Sequence, residues 1–101
     1  MTPMQMKYFD AVCRFQSISR AAEELHVTQP TITVALQTLE KEIGINLFQR
    51  KGKKLLLTQE GTIIWNKVTP ILTNIEKLEQ DIKDIAHNKN HIRLAVPLQI
   101  G

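Results

Sequence analysis

Apolar positions in the first 43 residues recur at helical spacing in three short blocks, each opened by a residue suited to capping a helix. Thr2 precedes Pro3, and Met6, Phe9, Val12 and Cys13 then repeat on one face, which predicts a first helix over 3–15. Ser17 opens a second, over about 18–25, with Ile18, Ala21, Ala22 and Leu25 on one face and Arg20, Glu23 and Glu24 outward. Thr28 caps a third. Pro30 sits in its first turn, where a missing N–H costs nothing; Ile32, Leu36, Leu39 and Ile43 form its buried stripe, and Gly44 ends it. The pattern then changes to two short apolar-rich runs, INLFQ and KLLLT, around the turn Arg50-Lys51-Gly52-Lys53-Lys54, which predicts a two-stranded wing. A helical pattern returns after Thr58, with Glu60 as a weak capping partner, and runs to about His87. Past the polar Asn88-Lys89-Asn90, the run HIRLAVP reads as a strand without a partner in the chain.

Within the long fourth helix, Ile64, Val68, Ile71, Ile75, Leu78, Ile82 and Ile85 alternate steps of four and three, an uninterrupted a/d seam. The remaining surface is polar, so the stripe calls for a partner helix; docking of this helix on its own head is the alternative. Trp65 and Leu72, on an adjoining face, either pack back on the first helix or widen the partner contact. Pro70 removes one backbone hydrogen bond, which predicts a bend near Asn66.

The expected fold is mainly α: a winged helix-turn-helix followed by a long coiled-coil-like linker helix. It divides into a head over 1–58, a linker and dimerisation helix over 59–88, and a hinge with one strand over 89–101. A length of 101 residues allows one such unit and no ordinary catalytic domain beside it. No apolar run has the length of a membrane span, and the N-terminus lacks a signal-peptide pattern, which points to the cytoplasm and away from a membrane partner. Cys13, the single cysteine, lies on an apolar helical face and reads as a small core residue.

Charge sharpens the division. Residues 1–58 hold eight Lys/Arg and five Asp/Glu, whereas 59–101 hold five of each, so the whole excess of +3 belongs to the head. Four of those cations lie between Arg50 and Lys54. Such a concentration suits a head that binds a polyanion. On a helical wheel, Pro30, Thr33, Val34, Gln37, Thr38 and Lys41 oppose the buried stripe of the third helix. Amides and short hydroxyls in that position match the edges of base pairs, although singly they also suit a solvated helix face. The basic turn fits phosphate contact, with Gly52 allowing close approach; keeping a sheet edge soluble is its plainer role.

From Ser17 to Gly61 the chain resembles the signature of LysR-type transcriptional regulators: Ala21-Ala22, Leu25, Thr28-Gln29-Pro30, Leu39-Glu40, Gly44, Leu47-Phe48, Arg50, Leu57-Thr58 and Gly61 stand at the matching offsets. The resemblance implies sequence-specific binding of double-stranded DNA. It places Gln29, Pro30 and Thr33 in the major groove and Arg50 and Lys53 at the minor groove, with Thr28, Thr31 and Lys54 nearby; Gln37 and Lys51 join them from the wheel and the basic turn. It further implies an antiparallel homodimer through Ile64, Val68, Ile71, Ile75, Leu78, Ile82 and Ile85, reading an interrupted inverted repeat. A larger regulator, tetrameric at full length, would bind a small-molecule effector in another domain, whose opening strand HIRLAVP resembles; no cofactor is expected in residues 1–101. Two positions depart from the pattern. Val34 stands where Arg is frequent, and Gln16 where Gly usually makes the bend, so Gln16 must accept a costly backbone or sit in a longer turn. No catalytic or metal-ligand constellation is visible, since His26, His87 and His91 are scattered. A protein-interaction module without DNA is the competing function, and the basic wing is what it leaves unexplained.

Overall fold

The computed structural model describes residues 1–88, so the expected strand and the segment 89–101 lie outside the described residues. Helix α1 (Pro3–Phe15) begins where Thr2 and Gln5 cap one another: the Thr2 hydroxyl accepts from the Gln5 N–H at 3.1 Å, and Gln5 Oε1 accepts from the Thr2 N–H at 2.8 Å. It ends at Gln16, whose φ of 53° and ψ of 32° lie in the left-handed region, so the residue standing at the glycine position takes the costly backbone. Helix α2 (Ile18–Leu25) starts on Ser17, whose side chain accepts from the Arg20 N–H, and also ends on a left-handed non-glycine residue, His26. Helix α3 (Gln29–Ile43) is capped by Thr28 and closed by Gly44.

The wing pairs β1 (Phe48–Lys51) with β2 (Lys54–Leu57) antiparallel, Phe48 facing Leu57 and Lys51 facing Lys54. Its two-residue turn places Gly52 at φ 65° and Lys53 at negative φ, the pattern of a type II′ hairpin. Helix α4 (Gln59–His87) begins on Thr58, whose hydroxyl accepts from the Gly61 N–H at 2.9 Å.

Helix α1 is the hub, packing on α2, α3 and α4. Phe9, Val12, Ile32, Leu39 and Leu47 are fully buried around it, and the small Ala21 and Ala22 let α2 approach. Cys13 is buried in the same core, where desolvation and then the charge of Asp10 push its thiol far above the ordinary range, leaving it protonated and inert.

Two expectations are corrected in detail. The first wing strand starts at Phe48 rather than Ile45. Leu47 is spent as a core plug, and its N–H and that of Phe48 donate to Glu40 Oε2 at 2.6 and 3.2 Å instead of joining a ladder. The a/d seam of α4 is divided: Val68 is buried in the head's core and Ile64 packs against it, so the chain itself covers the first part of the stripe. Trp65 and Leu72 turn to the head as well. Leu72 is buried there, and Trp65 Nε1 donates to Asp10 Oδ1 of α1 at 2.9 Å, while Asp10 Oδ2 accepts from Arg14 Nε at 3.0 Å. At Pro70 the helix continues as one element; the Asn66 carbonyl that proline deprives of a donor has the Thr69 hydroxyl 3.5 Å away.

Candidate nucleic-acid interface

Two constraints present α3 and the wing on one side of the head. Ile32, Leu36 and Leu39 bury one face of α3 in the core, which turns Gln29, Pro30, Val34, Gln37 and Thr38 outward and leaves Thr33 half-buried. Glu40, on the flank of α3, then anchors the start of the wing through the two backbone N–H groups of Leu47 and Phe48. Phe48 adds an edge-to-face contact with Phe9, ring centroids 5.5 Å apart. Behind the wing, Thr58 donates its hydroxyl to the Asn46 carbonyl at 2.5 Å, and its N–H reaches the Leu47 carbonyl at 3.0 Å. The wing is therefore tied at both ends, and its tip alone extends freely.

The result is a pair of neighbouring depressions. One, about 190 Å³, has Thr33, Gln37 and Glu40 of α3 on one wall and Gln49, Arg50 and Leu55 of the wing on the other. The second, about 280 Å³, joins Ser17, the cap of α2, Ser19 of α2 and Gln29 of α3 to Arg50 and Lys53 of the wing. Their shape and residues suit a polar polymer lying across them.

Of the residues expected to act, Gln29, Thr33, Gln37, Arg50 and Lys53 come together in these depressions, and Pro30 adjoins Gln29 and Thr33 in a third, open one. Lys51 and Lys54 are exposed on the wing outside them, and Thr28 and Thr31 are occupied with each other at the helix cap, their hydroxyl oxygens 2.8 Å apart. Among the described residues none of the four wing cations forms an ion pair; the single pair is Arg14 with Asp10. Sequence reasoning missed Ser17 and Ser19 as parts of the surface, because only the fold brings the start of α2 beside the wing. It likewise left Glu40 as a motif position without a task.

The expected dimerisation residues fall into two groups. Ile64 and Val68 lie on the head, whereas Ile71, Leu78, Ile82 and Ile85 are exposed and Ile75 is half-buried. Among the described residues there is no cluster of three or more His, Cys, Asp or Glu placed to hold a metal, and no helix long and apolar enough to cross a membrane.

Comparison with known proteins agrees with this geometry. Residues 3–62 match the model of the family described as bacterial regulatory helix-turn-helix protein, lysR family. The chain is 36% identical over 93 residues to a RuBisCO operon transcriptional regulator of Allochromatium vinosum, covering 91% of this chain and 31% of that protein. It is 45% identical over 71 residues to the HTH-type transcriptional regulator CbbR of Rhodospirillum rubrum, covering 70% of this chain and 24% of that one. It thus spans about a quarter to a third of these relatives. Among solved structures, the BenM_DBD/benA site 1 DNA complex superposes with a TM-score of 0.76 at 32% identity, covering 85% of this chain and 97% of that one; BenM is a transcriptional regulator of Acinetobacter baylyi. The match over most of the head, with the same helices and wing, makes this chain a member of the lysR family of bacterial regulatory helix-turn-helix proteins.

Proposed function

We propose that the chain is the sequence-reading part of a transcriptional regulator and binds double-stranded DNA as a homodimer. The observation that carries this reading is the convergence of Gln29, Arg50 and Lys53 in one depression: a helix start bearing an amide, flanked by wing cations that have no carboxylate partner among the described residues. Gln29, Thr33 and Gln37 supply donors and acceptors to base edges in the major groove. Arg50, Lys51, Lys53 and Lys54 neutralise phosphates and approach the minor groove, which adds salt-dependent affinity carrying little sequence information. BenM_DBD, similar over its full fold, is a DNA complex, which supports the same partner here. A protein-interaction module is not favoured, because it leaves the cationic wing without a task.

The stripe Ile71–Ile85, exposed except at the half-buried Ile75, supports dimerisation against a second copy of α4. An antiparallel pair of these helices, each about 43 Å long at ~1.5 Å per residue, is able to carry two heads to major grooves ~34 Å apart on one face of DNA. The site is then an interrupted inverted repeat, read in the cytoplasm. In a longer regulator, a small-molecule effector and assembly to a tetramer would involve residues outside this head. Selection of duplexes from a random pool by the purified chain tests the proposal. An enriched inverted repeat with half-site centres about one helical turn apart is expected, and a pool that stays random after repeated rounds contradicts DNA reading.

A further inference from the structure

The outward face of α3 is polar except at one branched aliphatic side chain beyond the first-turn proline. Val34 is 59% exposed. It follows Thr33, stands one helical turn after Pro30, and lines with Gln29, Pro30 and Thr33 an open depression at the start of the helix. Single apolar residues on a surface are ordinary. This one is set apart by its neighbours, which are the residues proposed above to meet base edges. It makes no contribution to the core, and valine is a poorer helix former than lysine, arginine or glutamine at an exposed position.

Resting on that DNA-reading proposal, we infer that Val34 is a specificity-determining residue that reads the 5-methyl group of thymine in the major groove. The groove edges of guanine, adenine and cytosine present ring nitrogens, carbonyl oxygens and amino groups; thymine alone presents a methyl. Seating valine on a methyl buries apolar surface on both partners. Seating it on any of the other edges removes water from a donor or acceptor and returns no hydrogen bond. Val34 therefore selects in two ways, by attraction to thymine and by a penalty on the alternatives. Its side chain has one torsion and short reach, so the thymine it reads lies directly under the Pro30–Val34 row, beside the bases met by Gln29 and Thr33.

The experiment replaces, one at a time, each thymine of the selected duplex by deoxyuridine, which removes only the methyl. Affinities are measured by fluorescence anisotropy for the wild-type chain and for Val34→Ala, with a scrambled duplex alongside. One thymine per half-site is expected at which deoxyuridine weakens wild-type binding about fourfold, the value of one buried methyl, while Val34→Ala binds both duplexes equally. Val34→Arg provides a second reading: selection with this variant should enrich guanine at that position, since Arg pairs with guanine O6 and N7. Helical circular dichroism of both variants verifies folding, which an exposed position is expected to preserve. If the wild type discriminates selected from scrambled DNA but every deoxyuridine substitution affects wild type and Val34→Ala alike, the assignment of Val34 is overturned and DNA reading stands. If the wild type binds selected and scrambled DNA equally, both are overturned.

Discussion

Ile64 and Val68 in the first half of α4 lie on the head, with Leu72 beside them, whereas Leu78, Ile82 and Ile85 in the second half project into solvent, although one 4-3 seam runs through both halves. The difference comes from what lies beside each half. Near its start α4 runs along α1, and the contact is fixed by the Trp65–Asp10 hydrogen bond and by the buried Val68 and Leu72. Farther along there is no second element for the stripe to meet among the described residues. A 4-3 spacing shows that a face will be buried, and the fold decides whether the chain itself or another copy buries it.

The largest expected effect tests the far half. Leu78→Asp with Ile82→Asp places two charges where a partner helix would have to bury them, at a cost of several kcal/mol. Sedimentation velocity should show a monomer, and binding to a two-half-site duplex should fall by about two orders of magnitude or more, since linkage of the two heads is lost. A variant that still sediments as a dimer would remove this stripe from the dimer contact. Both side chains are exposed in the single chain, at 58% and 54%, so the head is expected to stay folded.

A pair of equal truncations separates the two halves. Leu72→Ala, at a buried position, should destabilise the folded head by about 2–5 kcal/mol, read from urea unfolding at protein concentrations where the chain is monomeric. Leu78→Ala under the same conditions should change it by less than about 0.5 kcal/mol. Equal losses would mean that the described burial does not distinguish these positions.

Smaller again is the effect at the junction of wing and stalk. Gly61 is buried in the first turn of α4, and a Cβ there would collide with the Leu47 carbonyl and meet the Leu57 side chain at 2.9 Å. Gly61→Ala should therefore cost about 1–3 kcal/mol in thermal or urea unfolding. A neutral result would show that α4 can move away from Leu47 without loss.

Much of this architecture is carried by local chemistry and so could be read from the residues in order. Thr2, Ser17 and Thr28 cap helices where their side chains suggest, and Gly44 closes α3. The outward face of α3 followed from the spacing of Ile32, Leu36 and Leu39. What escaped depends on residues distant in sequence. The apolar neighbours of Leu47 suggest a strand, but the core claims its side chain and Glu40 accepts its N–H. The Asp10–Trp65 contact, across 55 positions, has no local signature. The depression shared by Ser17, Ser19, Gln29, Arg50 and Lys53 exists only once α2, α3 and the wing are packed. Gln16 shows the intermediate case: the resemblance marks a bend there but leaves open a left-handed backbone or a longer turn, and the structure places the glutamine at φ 53°.

The proposed function divides labour between α3, which meets base edges, and the wing, which holds the phosphate backbone. Fluorescence anisotropy titrations across a range of salt concentrations, on the selected duplex and on a scrambled one, with wild type, Thr33→Ala and Lys53→Ala, test it most directly. Thr33→Ala should lose about 1–3 kcal/mol on the selected duplex alone. Lys53→Ala should lose affinity on both duplexes and flatten the slope of log K against log salt by about one. Equal losses on both duplexes for Thr33→Ala, together with an unchanged salt slope for Lys53→Ala, would overturn this division between helix and wing.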